Sequence, residues 1–242
     1  MSALAVKRRG VPAGHGWDWI VAGWQLFRRQ PLLWMAAVIL YFLILVALAL
    51  VPVLGSLATM VLAPVLAGGL VSASRKLDRG GAVELTDFFA GFRERFPRLA
   101  AVGLLYLGAS VLIALVVGLV AGTGIWRLLA GDPQALLAAG ATVALAVLVM
   151  AALMVPVLMA LWFAPPLVMF HELGAVDAMK ASFWACLQNL GPFLVYGLVL
   201  LLLSVLASMP LLLGWLVLGP VMAASIYAAY RDVFVEQPAA AP

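Results

Sequence analysis

The chain has 242 residues, of which 67% are hydrophobic and only 10% are charged, and its mean hydropathy is +1.18. Soluble domains are roughly 45–50% apolar and about 25% charged, so this composition excludes an ordinary soluble protein. Several apolar runs of about 20 residues are long enough to cross a hydrocarbon core of about 30 Å as helices. The single cysteine, Cys186, excludes an intrachain disulfide and a CxxC motif. We therefore predict an all-α, polytopic membrane protein.

The N-terminal region divides into two parts. Residues 1–15 have no apolar core and no cleavage pattern, so we expect a flexible cytoplasmic tail and no secretory signal. From Gly16 to Gln30 apolar residues recur at helical spacing, and the segment ends on Arg28 and Arg29. This pattern is typical of an amphipathic helix that lies in the membrane interface. Residues 16–234 form a single predicted transmembrane domain, and 235–242 form a second, disordered tail.

Six apolar runs predict six transmembrane helices, arranged as three hairpins with amphipathic helices on the cytoplasmic side. They cover about residues 32–53, a run that ends near Ser74, 99–121, 143–163, 193–209 and 211–230. Pro31, Pro97 and Pro192 stand where three of the runs begin, and proline is favoured in the first turn of a helix. The sequence of segment 134–150 is compatible with either an extended helix or a re-entrant segment.

The basic residues are distributed unequally between the two sides of the membrane. Of the fourteen basic residues, Arg127 alone falls on one side of this topology. By the positive-inside rule both termini are cytoplasmic. The phospholipid bilayer, with anionic headgroups on the cytoplasmic side, accounts for the positive charge better than nucleic acid does.

The order of the segments suggests three units, at 16–78, 83–170 and 175–232. Each unit has an amphipathic segment, a proline, a crossing, a turn and a returning crossing. The returning crossings carry Leu62-Ala63-Pro64, Phe163-Ala164-Pro165 and Leu218-Gly219-Pro220. An alternative is that proline, glycine and alanine are simply common in membrane helices.

Motifs for catalysis are missing from the sequence. His171-Glu172-Leu173-Gly174-Ala175 begins like a zinc-protease motif but lacks the second histidine one turn later. No GxSxG, P-loop or dinucleotide-binding glycine pattern occurs, and no crossing has a charged residue in its middle. We therefore expect no enzyme activity, no metal and no cofactor, and the uncharged crossings argue against an ion-coupled transporter.

The candidate functional residues are charged side chains at the cytoplasmic ends and prolines within the crossings. The candidate lipid or partner contacts are Arg28, Arg29, Arg93, Arg95, His171, Glu172, Asp177 and Lys180. The candidate mid-membrane kinks, which free backbone carbonyls at membrane depth, are Pro64, Pro165, Pro166 and Pro220. The segment after Gly174 is predicted to be an interfacial helix that holds two crossings in register. One of its faces consists of Val176, Met179, Phe183, Leu187 and Leu190, and the other of Asp177, Lys180, Trp184 and Gln188.

Two functions fit these residues. The first is a non-enzymatic membrane protein that organises or senses lipid or envelope components. The alternative is a transporter or efflux channel for a hydrophobic solute, with a cavity at the prolines.

Four segments carry a resemblance to known proteins: GHGWDWIVAGWQLFRRQPLLW, FFAGFR, WFAPPLVMFH and AMKASFWACLQNLGPFLVYG. They resemble a family of uncharacterised bacterial inner-membrane proteins of the beta-proteobacterial, Burkholderia type, and the likeness runs from about Gly14 to Phe234. The resemblance implies a multi-pass protein of the inner membrane without an established activity. A looser likeness extends to the membrane domain of some glycerophosphodiester phosphodiesterases. The chain lacks their catalytic domain, so this likeness implies no phosphodiesterase activity.

Overall fold

The computed structural model describes residues 6–129, 135–171 and 173–234, with no side-chain description for 123–129 and 135–139. These residues form ten α-helices and a short 3₁₀ helix, Leu85–Phe89, and contain no strand beyond an isolated bridge between Arg8 and Phe234. The α-helices are α1 (His15–Arg29), α2 (Pro31–Ala49), α3 (Leu54–Asp78), α4 (Ala90–Glu94), α5 (Phe96–Leu129), α6 (Ala135–Trp162), α7 (Ala164–His171), α8 (Ala175–Gln188), α9 (Leu190–Ser208) and α10 (Trp215–Val233).

Within the described ranges, five helical segments are long and apolar enough to cross a membrane. They are Pro31–Ala49, Leu54–Asp78, Phe96–Gly122, Gly140–His171 and Leu190–Ser208. This confirms the predicted all-α, polytopic class. The predicted sixth crossing corresponds to α10, which is not among these five segments. Its helix begins only at Trp215, after a turn, and its last turn carries Arg231 and Asp232. The count of six crossings in three hairpins therefore stays a prediction.

Helices α5 and α6 pack on each other and are the two longest helices of the described residues. Helix α5 has 34 residues, about 51 Å at ~1.5 Å per residue, and α6 has 28 residues. Helix α6 is continuous from Ala135 to Trp162, so the described part of segment 134–150 is an extended helix. Residue 134 lies outside the described residues.

Helices α3, α7 and α10, which we call the returning helices, lie at the centre of the molecule. Helix α3 packs against α7 and α10. In its apolar 18-residue stretch 39% of the residues are buried, compared with 6% in that of α5. The four candidate kink residues, Pro64, Pro165, Pro166 and Pro220, are all buried in these three helices. Helices α2, α5 and α9 expose large apolar side chains around this centre.

The amphipathic segments close a ring around the returning helices. Helix α4 packs on α3, α8 packs on α6 and α7, and α1 packs on α10. In terms of the three predicted units, each amphipathic segment lies on the returning helix of the preceding unit, and the first segment lies on the last returning helix. The structure thus has a cyclic arrangement, whereas the internal repeat itself stays a prediction.

A small residue marks each of these three contacts. Gly23 lies against the backbone of Val221 and Ser225, and Gly91 lies against the backbone of Val65 and Gly69.

In the middle unit the corresponding small residue is Ser182. Its hydroxyl donates a hydrogen bond to Met159 O (2.6 Å) and accepts one from Phe163 N (2.8 Å). Each small residue stands between an alanine and an aromatic residue, in Ala22-Gly23-Trp24, Ala90-Gly91-Phe92 and Ala181-Ser182-Phe183. The same local pattern therefore makes a close helix contact three times.

The buried face of α8 differs from the apolar face that the sequence pattern indicates. Helix α8 buries its small residues, among them Ala178, Ala181 and Ala185. The large apolar residues of the expected face, such as Val176 and Leu187, are exposed. The reason is that lipid is as apolar as these side chains, so large residues gain little by turning inward, whereas small residues let two helices approach closely.

The first described residues are bound to the rest of the protein. The sequence predicts a flexible tail over residues 1–15, but Val6 is buried and Arg9 N donates a hydrogen bond to Val233 O (2.9 Å). The side chain of Asn189, between α8 and α9, accepts a hydrogen bond from Val11 N (2.8 Å) and donates one to Arg9 O (3.1 Å). Polar backbone contacts, which the apolar pattern does not report, account for this difference.

We predict that Gly23→Ala destabilises the protein, because the added Cβ would lie 2.6 Å from Val221 O and 2.8 Å from Ser225 N. Overpacking of this kind typically costs about 1–3 kcal/mol. The measurement is thermal unfolding of the detergent-solubilised protein. Gly108→Ala is the matched control, since its Cβ would meet no atom within 4 Å. Equal melting temperatures for the two variants would contradict the close contact.

Candidate functional site

Asp232, in the last turn of α10, is the centre of a polar cluster. Its carboxylate accepts hydrogen bonds from Arg9 Nη2 (2.6 Å) and Trp19 Nε1 (2.8 Å) and contacts His15 Nδ1 (2.7 Å). Arg9 Nε also donates to Asp232 O (2.7 Å). We call these four residues the Asp232 cluster. The cluster joins the N-terminal segment, α1 and the end of α10.

The environment of Asp232 stabilises its charged form. Desolvation alone raises the pKa of this carboxyl, but the hydrogen bonds from Trp19, His15 and Arg9 outweigh desolvation and lower the pKa below its usual value. The Asp232 side chain is only 17% exposed, whereas that of Arg9 is 55% exposed. The Asp232 carboxylate is therefore largely enclosed by its donors, whereas the Arg9 guanidinium stays accessible to solvent or a ligand.

A second carboxylate, Asp78, lies at the end of α3. Arg231 Nη1 contacts both of its oxygens at 2.6 Å, and Tyr227 Oη donates a hydrogen bond at 3.0 Å. Arg29 donates a hydrogen bond to the neighbouring Leu77 O. These four side chains, with Gln25, line a small cavity of about 40 Å³. We call Asp78, Tyr227 and Arg231 the Asp78 cluster, and it fastens α3 to α10.

His171, at the end of α7, contacts the same part of α10. Its Nε2 lies 2.6 Å from Tyr230 Oη. Nearby, the Arg75 guanidinium lies 4.3 Å from the centroid of the Phe170 ring, a cation–π contact. The ends of all three returning helices, α3, α7 and α10, are thus joined by polar or cationic contacts.

Two open depressions flank α1. The first, which we call the polar cleft, is a cavity of about 320 Å³; it is lined by Arg9, His15, Asp18, Trp19, Ala22, Ala228, Arg231 and Asp232. The second, which we call the apolar groove, has about 480 Å³; it is lined by Trp17, Ile20, Val21, Trp24, Leu203, Leu206, Ala207, Gly214, Val217, Leu218 and Val221. Helix α1 therefore separates a charged depression from an apolar one.

The residues predicted as lipid or partner contacts do not form one site. Arg28 is exposed on α1, and Arg93 is exposed on α4 and donates a hydrogen bond to Thr86 O (3.2 Å). Arg95 follows directly after α4.

The remaining predicted contacts lie on other elements. Arg29 and His171 lie beside the end of α10, as described above, whereas Asp177 and Lys180 lie on α8. Glu172 lies outside the described residues. None of the four candidate prolines is among the residues that line the small cavity, the polar cleft or the apolar groove.

Sequence reasoning missed the acidic residues that organise this region, Asp78 and Asp232. A signal was present, because each acid stands within three residues of an arginine at the end of a returning helix, Arg75 or Arg231. Arg9 and Trp19 had no comparable signal, since their roles depend on contacts more than 200 residues apart in the chain. Among the described residues no group of three or more His, Cys, Asp or Glu side chains is placed to hold a metal ion.

The fold and the comparisons together define a class and a family. Apolar membrane-length helices, with charged clusters at helix ends, are those of a multi-pass membrane protein. No protein-family model matches the chain, and no solved structure matches it. A probable inner membrane protein of Burkholderia thailandensis is 32% identical over an alignment of 259 positions, which covers 96% of this chain and 95% of the relative. The chain belongs to this family of bacterial inner-membrane proteins, as its sequence motifs predicted.

We predict that Asp232→Asn releases the N-terminal segment. The substitution removes a charged acceptor, and hydrogen bonds to charged groups typically contribute about 1.5–3 kcal/mol. The rate of limited tryptic cleavage after Arg8 and Arg9 should therefore rise about tenfold or more.

Asp87→Asn is the control, because it breaks the Lys76–Asp87 ion pair (2.8 Å) at a distance from the tail. Cleavage at the same rate in the wild type and in Asp232→Asn would show that the cluster does not hold the segment.

Proposed function

We propose that this inner-membrane protein is non-enzymatic and that it organises or senses lipids at its basic cytoplasmic surface. The observation that carries the proposal is that all three amphipathic segments expose aromatic and basic side chains together. Aromatic rings favour the membrane–water interface, and Lys and Arg side chains are attracted to anionic headgroups. A surface with both is suited to contact lipid headgroups.

Helix α1 gives the clearest example. Trp17 and Trp24 are 51% and 41% exposed and lie one above the other, two turns apart. Arg28 is exposed on the same side, while Leu26 and Phe27 are buried against the protein. The helix thus has one apolar face for the protein and a second, Trp-bearing face that remains for lipid.

The second amphipathic segment repeats these features. Phe92 and Phe96 are 37% and 40% exposed and stack on each other, with their ring centroids 6.0 Å apart. Arg93 and Arg95 stand between them in the chain.

In the third amphipathic segment, Trp184 is 51% exposed and Lys180 is exposed. Aromatic and basic residues therefore occur together in each segment, although the sequences of the segments differ.

The orientation and the count of crossings are part of this proposal. We propose six crossings, the sixth being α10, with both termini in the cytoplasm. The bridge between Arg8 and Phe234 supports an even number, because chain ends that pair must lie on the same side. The positive-inside rule supports the cytoplasmic side.

The alternative function, a transporter or efflux channel for a hydrophobic solute, has less support. It requires a cavity at the mid-membrane prolines, and these four residues are buried in contacts between helices. The lipid-organising function is therefore better supported than the transporter.

We predict that the combined variant Arg28→Gln, Arg93→Gln and Arg95→Gln retains less anionic lipid than the wild type. A basic residue near an anionic surface contributes about 1 kcal/mol, so the three together should reduce retained phosphatidylglycerol several-fold. The measurement is the lipid content of the protein after gentle purification.

The control is lysine at the same three positions, which keeps the charge. Arg29→Gln is tested separately, because its hydrogen bond to Leu77 O gives it a structural role. Unchanged retention in the neutral variant would refute the proposed function.

We predict that Arg93 is accessible only from the cytoplasm and Met209 only from the opposite side. Met209 is 72% exposed in the turn after α9. After Cys186→Ala, the single replacements Arg93→Cys and Met209→Cys are labelled with a membrane-impermeant thiol reagent, in cells and in inverted vesicles. Labelling of Arg93→Cys in intact cells would contradict the proposed topology.

A further inference from the structure

We propose that the polar cleft binds the phosphoethanolamine headgroup of a phospholipid. The inference deepens the proposed function and rests on it, since it names the lipid class for one site. It follows from the balance of charges in the cleft and from the one carboxylate there that lacks a partner among the described residues.

The cleft offers two guanidinium groups to a phosphate. Arg9 uses Nε and Nη2 for Asp232, and Arg231 uses Nη1 for Asp78. A guanidinium carries five N–H donors, so both groups keep donors for a further acceptor. Their side chains are 55% and 50% exposed. Arginine binds phosphate oxygens through such charge-assisted hydrogen bonds.

The cleft also offers a carboxylate that the protein does not use. Asp232 and Asp78 are each bound by an arginine, but the exposed Asp18 has no ion pair or hydrogen bond with another described residue. Asp18 therefore remains to bind a cation at the rim of the cleft.

A purely anionic headgroup would face a like charge at Asp18. A zwitterionic headgroup with an ammonium group instead supplies donors for Asp18 and acceptors for Arg9 and Arg231. A phosphoethanolamine group has both, and its –NH₃⁺ can donate hydrogen bonds, whereas the quaternary amine of a phosphocholine group has no N–H. The proposed site therefore distinguishes these two lipids.

The size of the polar cleft fits a headgroup. At about 320 Å³ the cleft lies within the range of roughly 300–1,000 Å³ typical of small-molecule sites. Asp18 and the exposed guanidinium groups of Arg9 and Arg231 all line it, so the ammonium group and the phosphate of one headgroup have their partners in the same cleft.

The test measures which lipids the full-length protein retains. The detergent-solubilised protein is given equal amounts of dioleoyl phosphatidylethanolamine, phosphatidylcholine and phosphatidylglycerol, and bound lipids are counted by native mass spectrometry. We expect the wild type to retain phosphatidylethanolamine over phosphatidylcholine by about tenfold, the factor typical of one charge-assisted hydrogen bond. Asp18→Asn should remove this preference, and Asp18→Glu should keep it.

Glu94→Gln is the control, because Glu94 is likewise an exposed acid on an amphipathic segment and lines neither the polar cleft nor the apolar groove. It should leave the preference unchanged. Arg9→Gln should lower the retention of phosphatidylethanolamine and phosphatidylcholine alike, because both carry the phosphate.

The inference is overturned if Asp18→Asn keeps the wild-type preference, since Asp18 would then serve only the helix dipole. It is also overturned if soluble phosphoethanolamine competes as well as the lipid does. These results differ from failure of the proposed function, which is read from the combined arginine variant.

Discussion

The close backbone contacts at Gly23, Gly91 and Ser182 are the constraint on which the rest of the structure depends. In water a large apolar side chain gains free energy when it turns inward, but in lipid this gain is nearly absent. Helices then associate where small residues allow their backbones to approach and where polar groups meet. Each amphipathic segment has one such small residue, and each contact fixes the segment on a returning helix. The exposed aromatic rings of the three segments are a consequence, because their opposite faces are occupied by these contacts.

The charged clusters follow from the same arrangement. When α1 lies on α10, it covers one side of the last helical turn and removes water from Asp232. A carboxylate in such a position must be bound by donors, and Arg9, His15 and Trp19 supply them. The clusters are thus an electrostatic requirement of the packing. Asp18 has no such requirement, since it stays on the exposed side of α1, and this difference singles it out as the carboxylate left for a ligand.

Composition and periodicity predict the helical class, the membrane location and most helix positions, because apolar runs of sufficient length have few other solutions. They do not predict which face of a helix is buried. In α8 the large residues Val176 and Leu187 indicate an apolar face, yet the small face with Ala181 and Ala185 packs on the protein. Hydrophobic periodicity identifies a buried face only where the opposite face is polar and contacts water, and both of these faces are apolar. The site was predicted only in part for a further reason, because Arg9 and Asp232 lie at opposite ends of the chain and no local pattern connects them.

The cyclic order of contacts has a consequence for assembly. Helix α1 is synthesised first, but its partner α10 is synthesised last, so the contact of Gly23 with Val221 forms only when the chain is almost complete. Until then most of the buried face of the amphipathic α1 is uncovered, because α9 and α10, on which it mainly packs, are not yet made. The membrane interface is the place where such a helix is stable, since its apolar faces enter the bilayer and its charged side chains stay in water. Replacing lipid by α10 on one face, while Trp17 and Trp24 keep lipid on the other, requires a helix with two apolar faces. Helix α1 therefore carries more apolar residues than its packing on α10 needs. The additional ones keep it at the membrane surface both before and after it packs on α10.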